Sequence, residues 1–282
     1  MTTARWILAG VVLVLAATTA HAQTLERIAR DGTLRIGHRD TAIPFSHVDA
    51  TTGEPRGYSV ALCEAMAADI AAAAGVETLD LAHVPVTAAD RFDAVAEGRV
   101  DLLCGAATRT LARRELVDFS LPTFVDGAGI ALPRGGATSM GDLAGGTIAV
   151  TGGTTTEEAL RRTLTRLDLD AAVLTVADHD AGLAALREDR AQAYFADRAI
   201  LLYLTAARGA DDVVVASDQF TLETHALALP RGDADFRLAV DAALSRLYLS
   251  GEVEALFAEA FGPDVQMTDL LASLYRLSAL PR

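Results

Sequence analysis

Two patterns of apolar and polar positions alternate along this chain. Short runs rich in Val, Ile, Leu and Ala occur at TLRIG, TLDLAHVPV, VDLLCG, GAGIALP, TIAVT, AAVLTVA, AQAYFA, DVVVAS and HALALP, and their length and content predict strands. Between most of them lie stretches whose apolar residues recur every three or four positions, the period of an amphipathic helix. SVALCEAMAADIAAAAG closes on Gly75, AADRFDAVAEG closes on Gly98, and TEEALRRTLTRL and DAGLAALREDR repeat the pattern. Strand and helix signals in alternation predict the α/β class with mostly parallel sheets. The alternation runs twice, over residues 33 to about 120 and 147 to about 215, around the Gly- and Pro-marked stretch LPTFVDGAGIALPRGGATSMGDLAGG. That predicts two lobes. The last stretch, DADFRLAVDAALSRLYLSGEVEALFAEAFG, is helical throughout, offers no strand, and must pack on a lobe already built.

The first residues, MTTARWILAGVVLVLAATTAHAQ, combine Arg5, an apolar run too short to span a membrane, and a small-residue AHA, so residues 1–22 are expected to be a cleavable signal peptide. No cysteine stands near that cleavage point, which favours release into a bacterial periplasm over a lipid tether. A net charge of -14 argues against nucleic acid as a partner. All 24 basic residues are arginine, so the chain can host neither a Schiff-base lysine nor a phosphate loop ending in Gly-Lys-Ser/Thr. Any anion site on so acidic a chain must be a local cluster of arginines and backbone donors. Cys63 and Cys104 both lie in apolar runs, where buried free thiols are the expected outcome, although export permits a bridge.

In open α/β sheets ligands bind beyond the carboxyl ends of strands. The polar residues found there are Arg39 after LRIGH, Thr87 and Arg91 after LAHVPV, Thr108 and Arg113 after VDLLCGA, Thr154 and Thr155 after TIAVTGG, His179 after VLTVAD, and Asp197 after AQAYFA. TGGTTTEEAL leads through two glycines into a helix whose Thr154–Glu157 or Thr155–Glu158 spacing fits a capping box. Its free N–H groups could also meet a carboxylate. CGAATRTLARRELVDFSLP offers Arg109, Arg113 and Arg114, and local sequence does not choose among them. In VADHDAG, a helix capped by Asp178 or Asp180 with His179 exposed is the simple expectation. His38, His179 and nearby aspartates have no regular ligand spacing, so neither a metal nor another cofactor is expected.

GHRDTAIPFSHVD, GYSVALCEAMA, VPVTAADRFDAVAEGRVDLLCG, DFSLPTFVDG, VTGGTTTEEAL, ADHDAG and AYFADRAILL, taken in this order, resemble the periplasmic solute-binding proteins that serve polar amino-acid ABC importers. The likeness is strongest to the glutamate/aspartate-binding members. It implies a two-lobed clamp of the type II periplasmic binding-protein class, with lobe one at 23–124 plus 226–282 and lobe two at 125–225. Two crossing strands near 123–130 and 218–228 would join them. By the same resemblance Arg113 and Thr108 hold the ligand α-carboxylate, N–H groups at the Thr154/Thr155 helix start close over it, and Asp197 pairs with the α-ammonium. Arg39, Arg91 and His179, with Thr155 close by, surround the side-chain carboxylate. The implied protein is a monomer without enzymatic activity that delivers L-glutamate or L-aspartate to permease subunits of an ABC importer. Ala88 and Ala106 stand where dicarboxylate binders carry serine, which leaves a broader Glu/Asp/Gln/Asn preference as an alternative, but general amino-acid binders lack an equivalent of Arg39. Cyclohexadienyl dehydratases share the scaffold, and there Asp197 or an unassigned Glu would serve as general acid.

Overall fold

The computed structural model describes residues 24–207 and 209–281. The expected signal peptide at 1–22 lies outside them. After helix α1 (Thr24–Asp31) come strands β1 (Thr33–His38), β2 (Thr41–Ala42), β3 (Ser46–Val48) and β4 (Pro55–Arg56), then helices α2 (Tyr58–Ala65) and α3 (Ala67–Ala74). Next follow β5 (Asp80–Pro85), α4 (Arg91–Ala96), β6 (Leu102–Leu103) and the long strand β7 (Val117–Asp126). The chain then builds β8 (Ala128–Pro133), β9 (Thr147–Thr151), α5 (Thr155–Leu167), β10 (Ala172–Val176), α6 (His179–Arg187), β11 (Ala193–Asp197), α7 (Arg198–Ala207) and β12 (Val213–Val215). Strand β13 (Glu223–Pro230) returns, and helices α8 (Ala234–Ser250), α9 (Glu252–Phe261) and α10 (Asp269–Ser278) complete the described chain.

All nine strands expected from the apolar runs are present, in two five-stranded sheets ordered β5-β1-β6-β13-β7 and β10-β9-β11-β8-β12. Neither sheet is mostly parallel. In the first, β1 pairs in parallel with β5 and β6 while β13 runs antiparallel to β6 and β7. In the second, β9 pairs in parallel with β10 and β11 while β8 runs antiparallel to β11 and β12. The antiparallel half arises because β7 leaves the first sheet and β8 begins the second after a single residue, Gly127. The crossing is tight enough that a Cβ on Gly127 would lie 1.9 Å from the Thr221 carbonyl oxygen. No side chain fits there.

The central strands of both sheets are buried on both faces, which is why they read as continuous apolar runs, while the edge strands β5, β10 and β12 are only partly buried. Ile130, Leu132, Ile148, Val150 and Phe195 face one core with Leu160 of α5, while Ala131, Ala149 and Tyr194 face the other with Leu183 and Leu186 of α6 and Leu201 of α7. In the first sheet Leu34, Ile36, Leu102, Leu227 and Leu229 pack on Phe236, Val240, Leu244 and Leu247 of α8, as the strandless C-terminal stretch required. Each such side chain contributes about 1.5–3 kcal/mol of burial. The single helix expected over 59–75 is instead two, interrupted at Met66, and the C-terminal helical stretch breaks at Gly251, whose φ is +80°. No helix among the described residues is long and apolar enough to cross a membrane.

The two cysteines are not free thiols. Cys63 and Cys104 form a disulfide. Helix α2 lies on the core face of the first sheet, which brings the two Cα atoms to 6.3 Å, within bridging reach. Apolar surroundings alone could not reveal that the two runs pack on each other.

Candidate functional site

The carboxyl ends of the parallel strands in the two sheets face one another. Beyond β1, the Arg39 N–H donates to Ser46 Oγ at 2.8 Å and the Ser46 hydroxyl donates back to the Arg39 carbonyl at 3.1 Å, so β3 fixes the backbone that carries the guanidinium. After β5, the Thr87 N–H and hydroxyl both donate to Asp90 Oδ1 at 2.7 Å, shaping the turn that starts α4 at Arg91. After β6, Arg113 Nη1 donates to the Thr108 carbonyl at 2.8 Å, which ties the two residues into one unit. Arg109 instead donates to Thr224 Oγ1, and Arg114 lines a separate surface hollow. Structure thus makes the choice among the three arginines.

From the second sheet, β9 runs into Gly152 and Gly153, and Thr154 caps α5 by accepting from the Glu157 N–H at 3.1 Å. Glu157 accepts from the Gly153 N–H at 3.0 Å rather than from the Thr154 N–H, so Thr154 caps α5 at the Thr154–Glu157 spacing without the reciprocal bond of a full capping box. Thr154 also donates to the Thr151 carbonyl at 2.6 Å, which leaves Thr155 as the hydroxyl facing the first sheet, 3.2 Å from Thr108 Oγ1. Asp178 caps α6 by accepting from the Ala181 N–H. The exposed position foreseen for His179 is wrong: its side chain is buried, with Nδ1 2.7 Å from Tyr194 Oη, which in turn lies 2.9 Å from Thr151 Oγ1. Gly182 allows this, since a Cβ there would sit 2.3 Å from the Tyr194 ring.

Arg39, Arg91, Thr108, Arg113, Thr154, Thr155, His179 and Asp197, the eight residues that the resemblance implied as ligand contacts, all line one cavity of ≈ 20 Å³, together with Ala42, Ala106, Thr156 and Ile200, whereas Thr87 lines an adjoining hollow. Ala88 lies instead in an adjoining hollow of ≈ 410 Å³ that Arg39 shares. Burial lowers the pKa of all three arginines, and for Arg91 it acts with Arg113 and Arg39 to bring the value down to about 9. Arg91 Nε and Nη1 have no hydrogen-bond partner among the described residues. Burial, then Arg39 and Arg91, push His179 down to about 3, so it is neutral and donates or accepts without adding charge. A protonated His179 is therefore not part of this site.

The acid end was only partly legible. Asp197 ends β11, and its ligand atoms, those of Glu223 and those of His225 lie within 4.8 Å of one another. Among the described residues these three groups come together, and neither His38 nor His179 belongs to the cluster. Glu223 also accepts from Thr108 Oγ1 at 3.2 Å. A second missed residue is Phe92, whose ring has the Arg91 and Arg113 guanidinium carbons each 4.6 Å from its centroid. Phe92 directly follows Arg91, but nothing in sequence places Arg113 beside it.

Residues 34–263 match the model of the bacterial extracellular solute-binding proteins, family 3. The chain belongs to that family. This solute-binding protein is 31% identical over 240 residues, 84% of its length and 80% of the relative's, to an L-glutamate/L-aspartate-binding protein of Pseudomonas aeruginosa. It is 28% identical over 245 residues, 86% of its length and 87% of the relative's, to an L-cystine-binding protein of Escherichia coli. Among solved structures it resembles an ancestral amino acid-binding protein, a precursor of cyclohexadienyl dehydratase, at TM-score 0.74 and 27% identity, covering 84% of this chain and 99% of that one. The family member described here is thus a two-lobed amino-acid-binding protein of the kind that serves ABC importers, with its cavity where the lobes meet. Its relatives take different amino acids.

Proposed function

We propose that this protein binds L-glutamate and L-aspartate between its lobes in the periplasm and delivers them, as a monomer, to the permease of an ABC importer. The lobes are residues 23–124 plus 226–282 and residues 125–225. The observation that carries the reading is the set of three arginines on one cavity, Arg39 and Arg91 buried and Arg113 half-buried, with Arg91 short of partners. A neutral amino acid offers one carboxylate, enough for Arg113. It would leave Arg39 and Arg91 buried and unneutralised, at several kcal/mol. A second carboxylate supplies the missing charge. With Asp197 and Glu223 ionised, three guanidinium groups, two protein carboxylates and a ligand with two carboxylates and one ammonium sum to zero.

In this reading Arg113, Thr108 and the N–H groups at Thr154 and Thr155 take the α-carboxylate, and the α-ammonium meets Asp197. Arg39, Arg91 and neutral His179 take the side-chain carboxylate. Closing the lobes on such a ligand selects the state that the permease recognises. Ala106, in place of a serine, withholds one hydroxyl, a loss of about 1.5–3 kcal/mol that water can make good.

Calorimetric titration with a panel of amino acids tests the reading. L-glutamate and L-aspartate are expected to bind at least 100-fold more tightly than their amides, and glutamine binding as well as glutamate overturns the dicarboxylate assignment. Turnover of prephenate would replace the carrier reading with an enzymatic one. A smaller effect is expected at Phe92. Replacing it with leucine removes the face on which Arg91 and Arg113 rest, a contact worth about 0.5–2 kcal/mol, so Phe92→Leu should raise the glutamate Kd roughly 2- to 30-fold. An unchanged Kd would show that the arginines hold their places without the ring.

A further inference from the structure

A neutral imidazole has one nitrogen that donates and one that accepts, and which is which decides what the ring offers a ligand. His179 lines the cavity with its Nδ1 already engaged, 2.7 Å from Tyr194 Oη, while its Nε2 forms no hydrogen bond among the described residues. The contact runs on from Tyr194 Oη to Thr151 Oγ1 at 2.9 Å. Thr151 ends β9, Tyr194 lies on β11 and His179 opens α6, so three packed elements fix this relay, and all three residues are buried. Arg39 and Arg91 face the imidazole, and Arg39, Asp178 and Asp197 face the phenol. Tyr194 itself does not line the cavity.

A count of hydrogens gives the relay its direction. Thr151 Oγ1 has no partner other than Tyr194 Oη among the described residues. Were the ring proton on Nδ1, it would go to Tyr194, the phenol would donate to Thr151, and the buried Thr151 hydroxyl would keep a proton with no acceptor. Folded proteins rarely leave such a group unpaired. In the other direction Thr151 donates to Tyr194 and Tyr194 donates to Nδ1, so both hydroxyl protons are accepted and the ring proton sits on Nε2. Arg91 agrees with that direction: its Nε and Nη1 lack acceptors, yet neither donates to His179, as a bare Nε2 would invite. We propose that Tyr194 is a specificity-determining residue that holds His179 as the Nε2–H tautomer, a fixed donor facing the ligand side chain. It is a positioning residue, acting through His179. A carboxylate only accepts, and so it suits Arg39, Arg91 and Nε2–H together. An amide at the same place would bury its N–H groups among side chains that offer donors alone, which adds to charge a second preference for glutamate over glutamine. The inference rests on the acidic amino-acid reading, although the tautomer is a property of the free protein.

Two-bond proton–nitrogen spectra of the ligand-free protein at neutral pH, with His179 assigned through His179→Gln, tell a protonated ring nitrogen from a bare one. A single Nε2–H tautomer is expected, with the Tyr194 hydroxyl proton correlated across its hydrogen bond to Nδ1. A proton on Nδ1, or on both nitrogens, overturns the proposal whether or not any amino acid binds, and leaves the three arginines as the basis for glutamate. Tyr194→Phe should populate both tautomers and raise the glutamate Kd by roughly 2- to 12-fold, the worth of one hydrogen bond. Glutamine should lose less, because a bare Nε2 accepts an amide N–H, so the glutamate-to-glutamine ratio narrows. A folded Tyr194→Phe protein with the native tautomer and the native ratio overturns the role of Tyr194. The spectrum of the native protein decides the matter without any substitution at Tyr194.

Discussion

Arg39→Ala is expected to raise the glutamate Kd by roughly 10²- to 5 × 10³-fold while leaving the melting temperature unchanged or higher. The loss is large because alanine strands the ligand's side-chain carboxylate in a desolvated site, and removing one partner of a buried charge pair costs about 3–5 kcal/mol. Stability should move the other way. Arg39 is 8% exposed, burial depresses its guanidinium pKa, and its backbone is held by Ser46 through bonds that alanine retains. Glutamine offers no charge to Arg39, so its affinity should change far less, and the glutamate-to-glutamine ratio should collapse. Calorimetry with both ligands, beside a thermal melt, gives the result. A loss equal for the two amino acids would place Arg39 at a structural task and remove it from specificity.

Reduction of the Cys63–Cys104 bridge is expected to destabilise the fold by about 4 kcal/mol, the loop-closure value for the 41-residue separation it spans. At 2–4 °C per kcal/mol for a chain of this size, the melting temperature should fall by roughly 8–16 °C. The bridge joins α2 to the end of β6 inside the core of the first sheet. Its loss therefore frees the unfolded chain without altering the arginines. Glutamate should still bind the reduced protein, or a Cys63→Ser/Cys104→Ser variant, at temperatures where either remains folded. Melting curves with and without reductant decide the matter, and coincident curves would show that the core alone sets the stability.

The apolar runs made the strands legible because the central strands of both sheets are buried on both faces, and nearly continuous burial leaves a continuous signature, although the edge strands β5, β10 and β12 are only partly buried. The partners of those strands were not legible. An apolar run carries no direction, so β8 and β13 read like parallel strands although they run against their neighbours. β7 was missed as a long strand because VDFSLPTFVD mixes polar residues and a proline into a strand that also bridges the lobes. For the site, the arginines and threonines announced themselves by following strands. Glu223 did not, because it begins a strand that comes back from the other lobe.

What the sequence determined by itself was the inventory: two rounds of strand and helix, a family likeness, and the eight polar residues that line the cavity. Local sequence sets hydrophobic period, capping and the chemical type of each side chain, and these need no partner to be read. Tertiary structure alone decided which residues share a space. It joined Cys63 to Cys104, set Phe92 between two arginines, turned His179 from surface to interior against Tyr194, and brought Glu223 to Asp197 across 25 intervening positions. The physical reason is that charge and protonation depend on distance and on exclusion from water, and both are properties of the packed chain.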